Sequence, residues 1–176
     1  MSSSTVTNKV RTAMDDKTPP VTAATQVLRA AGIQYSDHLY AFEEGDGTAI
    51  CAKELNIDEH SIVKAIILEA DAKPLIVLMH ADMRASIKEL AGIMGAKSIT
   101  PCVSETAELH TGYQFGGISP FGTRSEMPVY MEETILNLRK VYVNGGKRGY
   151  LVGLDPYDIV KILRPFLVKV GSARGT

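Results

Sequence analysis

The sequence predicts a mixed α/β (α+β) domain, and three observations carry that expectation. Segments with apolar residues at three- and four-residue spacing alternate along the chain with short β-branched runs. The run from Ile62 to Leu68 is apolar on both faces, the pattern of a strand inside a sheet. Asn144-Gly145 separates two β-rich runs, a strong hairpin signal. At 176 residues, with 45% hydrophobic and 22% charged side chains, the chain suits one globular core. The expected organisation is a flexible polar tail over residues 1–17 and a single domain over residues 18–176.

The elements follow in order. Thr18-Pro19-Pro20 reads as a helix start, and Val21 to Ala31 as a helix burying Ala24, Val27, Leu28 and Ala31, stopped by Gly32. Ile33 to Phe42 reads as a strand. Thr48 is placed to cap a helix running to about Ile57. Ile62 to Glu69 and Leu75 to His80 form a strand pair around the turn Asp71 to Pro74. Asp82 is expected to cap a helix with Ile87, Leu90, Ala91 and Met94 on its apolar face, ended by Gly95. A short helix follows over Ser104 to His110. Glycines then break the run from Tyr113 to Thr123, and Pro128 to Met131 returns to strand. Val141 to Val143 and Tyr150 to Leu154 flank the predicted hairpin turn. Asp155-Pro156 opens a last helix that cannot pass Pro165.

Several function classes are disfavoured. The apolar stretches are far shorter than the roughly 18 residues of a membrane span, and Met1 to Asp16 lacks the apolar run of a secretory signal, so a cytoplasmic location without membrane contact is expected. Cys51 and Cys102 stand far apart and outside any CxxC pattern, so they read as ordinary thiols and imply neither disulfide nor metal. No HExxH, GxSxG or phosphate-loop pattern occurs. A net charge of −1 argues against a broad nucleic-acid coat. It leaves room for a local basic edge of Arg124, Arg139, Lys140, Lys147 and Arg148, which reads either as a phosphate contact or as a solvated hairpin rim.

The candidate chemistry starts with Lys64. Period-two alternation places it on one face with Ile62, Ile66 and Leu68, while Val63, Ala65 and Ile67 make the other face equally apolar. A lysine in such a strand snorkels to solvent, pairs, or lines a pocket, where desolvation would lower its pKa. Gly116-Gly117-Ile118-Ser119-Pro120 would let backbone approach a ligand closely and would suit an amide-lined oxyanion hole, although glycine content alone also marks an ordinary turn. Tyr40 alternates with His38 and Phe42 and reads either as pocket wall or as core. His38, His60, His80 and His110 are scattered, each reading as a structural or surface residue.

Four segments together carry a family resemblance: Val63-Lys64 in an apolar strand, His110-Thr111-Gly112-Tyr113, Gly116 to Gly122, and Tyr142 to Gly149. In this order they resemble the YbaK/EbsC family of prolyl-tRNA-editing-like domains, over about residues 19 to 170. The resemblance implies a strongly bent, barrel-like mixed sheet surrounded by helices. It implies a metal- and cofactor-free aminoacyl-tRNA deacylase acting in trans on mischarged tRNA, foremost cysteine on proline tRNA, near or with prolyl-tRNA synthetase. Lys64, Gly116 and Gly117 would then be catalytic. Tyr40, Ile118, Ser119, Pro120, Asn144 and Gly145 would bind the substrate, and Arg124, Lys147 and Arg148 the tRNA. Lys64 would orient the aminoacyl group, the loop would stabilise the oxyanion, and the substrate's own thiol would attack its carbonyl. Asn144 stands where several members have serine, Ala65 where some have threonine or asparagine, and Leu151 where some have aspartate; these departures bear on which amino acid is removed. A noncatalytic module docking tRNA or synthetase, a deacylase for another amino acid, and a small-molecule enzyme using Lys64 as an amine nucleophile are the alternatives.

Overall fold

The computed structural model describes residues 18–45 and 47–174; the expected tail over residues 1–17 lies outside them. Among the described residues five α-helices and ten strands alternate along the chain, as the pattern predicts. The main sheet is mixed. Its hydrogen-bonded path runs through β1 (Ser36–Leu39), β8 (Tyr150–Leu154), β7 (Val141–Asn144), β2 (Ile62–Ala70), β3 (Lys73–His80), β6 (Val129–Glu132) and β9 (Phe166–Val168). Among the described residues no ladder joins β1 to β9, so the barrel-like closure implied by the resemblance has no counterpart in the pairing.

The central strand is β2, as its two-sided apolar pattern predicts. On one edge it pairs with β3 from Val63↔His80 to Ala70↔Lys73. Its other edge forks. Ile62 and Val63 pair in parallel with β7, whereas Leu68 to Ala70 pair antiparallel with β5 (Ile99–Pro101). The alternation of β2 and β3 feeds two apolar layers. Val63, Ile67, Ile76 and Leu78 enter the largest cluster, with Leu28, Phe121, Val143, Tyr150 and Ile159. On the opposite face the apolar surface is broken in two: Leu68, Leu75, Val77 and Met79 join Leu90 and Ile99, while Ile62 joins Cys51, Ala52 and Leu151. Lys64 falls between these two patches. Each fully buried leucine or isoleucine contributes about 1.5–3 kcal/mol relative to exposure.

Helix ends show where local signals compete. Helix α1 (Ala23–Ala30) is capped by Thr22 in a reciprocal capping box with Thr25, not by Thr18 before the prolines. The Thr22 hydroxyl also donates to the Gly145 carbonyl at 2.5 Å, tying the helix start to the β7–β8 loop. Helix α2 (Thr48–Leu55) has Gly47 as its cap residue and no side-chain cap; the Thr48 hydroxyl donates instead to Glu59 at 2.6 Å. Helix α3 (Ile87–Met94) is capped by Ser86, not by Asp82, because β4 (Met83–Ala85) intervenes and pairs with β10 (Gly171–Ala173). Helix α4 covers Ser104–Thr111, and α5 (Pro156–Leu163) starts on an Asp155 cap with Pro156 in its first turn. The hairpin forms as expected, with Val141 opposite Leu154 and Asn144 opposite Leu151. No helix among the described residues is long and apolar enough to cross a membrane.

Candidate active site

A cavity of about 340 Å³ opens beside the fork in β2. Its walls come from Tyr40 to Glu43, the start of α2 with Thr48, Ile50 and Cys51, the strand residues Ile62 to Ala65, Phe115, Gly116 and Ile118 from the glycine-rich loop, and Asn144 and Leu151 from the hairpin. Five of the residues singled out from the sequence, Lys64, Tyr40, Gly116, Ile118 and Asn144, thus meet in one place, although up to 104 residues of chain separate them. Contacts distant in sequence assemble it, led by the parallel register of Val63 with Val143.

Lys64 is half-buried, and among the described residues its ammonium makes no hydrogen bond or ion pair. Burial lowers its pKa from the usual lysine range, with the positive charge of Arg174 acting the same way and Glu59 opposing. Glu59 is itself held by the Thr48 hydroxyl and by the Arg174 guanidinium at 2.6 Å, and these interactions lower its pKa. Arg174 also donates to the Ala81 carbonyl at 2.8 Å. The positive group that would compete for Glu59 is therefore already seated, and the lysine is left to face the cavity. Tyr40 is pushed up to about 12 by burial, with the neighbouring Cys51 thiol adding to the effect; burial likewise raises Cys51 to about 11. Both remain protonated at neutral pH.

The glycine-rich loop divides its labour differently from the sequence expectation. Gly116 and Ile118 both line the cavity, and their N–H groups have no protein acceptor among the described residues. Gly117 was expected beside Gly116 as an oxyanion donor, but its N–H already donates to the Gln114 carbonyl at 2.8 Å. What requires glycine there is close packing: a Cβ would lie 2.7 Å from the Arg148 nitrogen and 2.9 Å from the Lys147 carbonyl carbon. Ser119 and Pro120 do not line the cavity. Ser119 is fully buried and its hydroxyl accepts from the Phe121 N–H at 3.3 Å. Gly145 is a packing glycine too, since a Cβ would meet the Tyr150 ring at 2.3 Å. Asn144 joins the two loops: its side-chain amide donates to the Gly116 carbonyl at 3.1 Å and its oxygen accepts from the Gly146 N–H at 2.8 Å.

The expected tRNA-contacting cations are dispersed in role. Arg148 is a strut, donating from Nε to the Phe115 carbonyl at 2.8 Å with its guanidinium 4.9 Å from the centre of the Phe42 ring. Arg124 is exposed and lies across Gly112, and Lys147 is exposed on the hairpin. Sequence reasoning passed over Phe42, Thr48, Ile50, Cys51 and Phe115 as site residues. Phe115 directly precedes Gly116, and the alternation of Phe42 with Tyr40 was the available signal.

Three groups of metal-ligating type, His60, His80 and Asp82, have donor atoms within 4.8 Å of one another. His80 is fully buried and its one ring lone pair is already engaged. Its Nδ1 faces the His60 carbonyl at 2.8 Å and must carry the proton, while Nε2 meets the Thr134 hydroxyl at 2.8 Å. His60 stacks on it at 3.8 Å and pairs with Asp82 at 2.9 Å. This cluster anchors the β2–β3 end of the sheet and does not line the cavity.

Comparison with known proteins agrees with this architecture. Over 148 residues the chain is 26% identical to the Enterococcus faecalis protein named "Putative Cys-tRNA(Pro)/Cys-tRNA(Cys) deacylase EbsC", covering 83% of this chain and 90% of that one. It is 26% identical over 103 residues to the proline–tRNA ligase of Streptococcus equi subsp. zooepidemicus, covering 58% of this chain but only 17% of the much longer ligase. The fold matches the crystal structure of "a putative trans-editing enzyme for prolyl tRNA synthetase" with a TM-score of 0.75 and 18% identity, over 88% of this chain and 99% of that one. At that identity the likeness establishes the fold alone. Residues 43–162 match the aminoacyl-tRNA editing domain family, and the chain belongs to it.

Proposed function

We propose that this protein hydrolyses the ester between an amino acid and the 3′ ribose of its tRNA, acting in trans, with cysteine carried on proline tRNA as its preferred substrate. The observation that carries the reading is Lys64: a half-buried cation with no hydrogen-bond or ion-pair partner among the described residues, on the wall of a mostly apolar cavity. Leaving a cation desolvated and unpaired lowers stability unless a ligand completes it. The aminoacyl ester is an activated bond, so positioning and charge stabilisation supply much of the acceleration.

In this reading Lys64 orients the aminoacyl ester or the ribose. The unpaired N–H groups of Gly116 and Ile118 take the place of the Gly116–Gly117 pair as donors to the developing oxyanion. Ile50, Cys51, Ile62 and Leu151 give the cavity an apolar side suited to a small apolar side chain or a thiol. The thiol of a cysteinyl substrate attacks its own carbonyl carbon, the bond to the ribose oxygen breaks, the proton lost by the thiol goes to that leaving oxygen, and water then opens the cyclic thioester to free cysteine, which completes the net hydrolysis. Arg124 and Lys147 contribute phosphate contacts, and prolyl-tRNA synthetase is the partner that would hand over mischarged tRNA. The relatives named for cysteine on proline tRNA and for prolyl-tRNA synthetase support these choices.

The test is deacylation of proline tRNA charged separately with cysteine, alanine and proline. Wild-type protein should release cysteine fastest, with the rate unchanged by a chelator. Lys64→Ala should lower kcat/KM by about 100-fold or more. Salt-sensitive binding of charged tRNA with no release of any amino acid would overturn the reading in favour of a docking module.

A further inference from the structure

Of the large apolar side chains that remain exposed among the described residues, Ile50 and Phe115 are the two that line the cavity, each 51% exposed. Phe115 is no loose surface residue. Its N–H donates to Glu108 Oε1 at 2.9 Å, and its carbonyl accepts from Arg148 Nε at 2.8 Å. The Gly117 N–H closes the turn beneath it on the Gln114 carbonyl. Arg148 is in turn steadied against the ring of Phe42, itself a wall of the cavity. Backbone and neighbours hold the residue on both sides while half of it is left to solvent, an arrangement that gives up favourable burial for a large aromatic side chain.

The deacylase reading fixes what reaches this rim. If the ester lies between Lys64 and the Gly116–Ile118 amides, the ribose follows at the mouth, and the base of the same nucleotide is the next group outward. We infer that Phe115 is a positioning residue whose ring stacks on the base of the substrate's 3′-terminal nucleotide, with Ile50 as a second apolar contact. The inference rests on the proposed deacylase reading. Stacking on an aromatic side chain suits any base, since every base offers a π face, and it holds the ester without touching it.

The experiment uses full-length protein and an acceptor-stem RNA ending in 2-aminopurine, joined to cysteine through a non-hydrolysable 3′ amide. Stacking should quench the 2-aminopurine fluorescence on binding. Phe115→Ala should abolish the quenching and raise KM for cysteinyl-tRNA roughly 5- to 100-fold, with a much smaller change in kcat. Phe115→Trp should restore both, and thermal melting checks that each variant folds. Wild-type protein that binds the RNA without quenching, or Phe115→Ala that quenches and turns over as wild type, would overturn the inference. Quenching with no turnover of any charged tRNA would defeat the deacylase reading while upholding the platform. Turnover without quenching would do the reverse.

Discussion

Lys64 and His80 stand on adjacent strands, one register step apart, and differ in everything that decides a buried polar group's role. Burial lowers the pKa of both. His80 has each ring nitrogen satisfied, one by the His60 carbonyl and one by Thr134, whereas the Lys64 ammonium has no partner among the described residues. A buried polar group with all its hydrogen bonds made belongs to the fold. One that lines a cavity, with none made among the described residues, is where a ligand would supply them. Partner accounting separates the two although burial depresses the pKa of both.

The comparison breaks if exchanging the two residues' fates proves easy. The largest effect expected is on activity: Lys64→Ala should lose about 100-fold or more in kcat/KM while its denaturation midpoint holds or rises, because a desolvated charge has been removed. His80→Ala should do the opposite. It leaves a cavity and two orphaned partners, lowering stability by about 2–4 kcal/mol in chemical denaturation, and the folded fraction should keep measurable turnover. Gly117→Ala comes next, at about 1–3 kcal/mol, since its Cβ would press on the hairpin backbone and displace the loop bearing Gly116. Asn144→Ala should be milder, at about 1 kcal/mol, and should reduce turnover by loosening the Gly116 carbonyl it holds.

The pH dependence sharpens the contrast. His80 has a depressed folded-state pKa, so its contribution to stability is fully present above the ordinary histidine range and is lost as pH falls toward the depressed value. Denaturant midpoints between pH 7.5 and 5 should fall more steeply for wild type than for His80→Phe. Lys64 obeys the same sign in the alkaline window: stability should rise as pH climbs from its depressed pKa toward the ordinary lysine value. Turnover that depends on the ammonium should decline over that rise, so that activity and stability move in opposite directions.

The sequence made some of this legible and concealed the rest. The two-sided apolar run of β2 and the Asn-Gly turn announced themselves because each is a local pattern, and they bring Lys64 and Asn144 to one cavity. Strands β4, β5, β9 and β10 are three residues each, too short for alternation to register, so their partners alone define them. Asp82 and Thr48 read as helix caps by type, but each found a stronger acceptor or donor elsewhere, in His60 and Glu59. Ser86 followed at Glu89 by a carboxylate was a readable capping signal that the nearer-looking Asp82 obscured. Within the glycine-rich loop, type alone could not tell Gly116, which faces the cavity, from Gly117, which faces the hairpin. The Glu59–Arg174 pair joins residues 115 positions apart, beyond the reach of any local pattern.

The fork in β2 has a mechanical consequence. With β3 along one edge and β7 and β5 gripping the other at its two ends, the strand behaves as a beam clamped on both sides of an open bay, and Lys64 stands just inside that bay. Its backbone is held by the whole sheet, while the facing wall hangs from helix starts and loops. A molecule built this way can refit the hanging wall to a different amino acid, one side chain at a time, and leave the beam that carries the lysine unmoved.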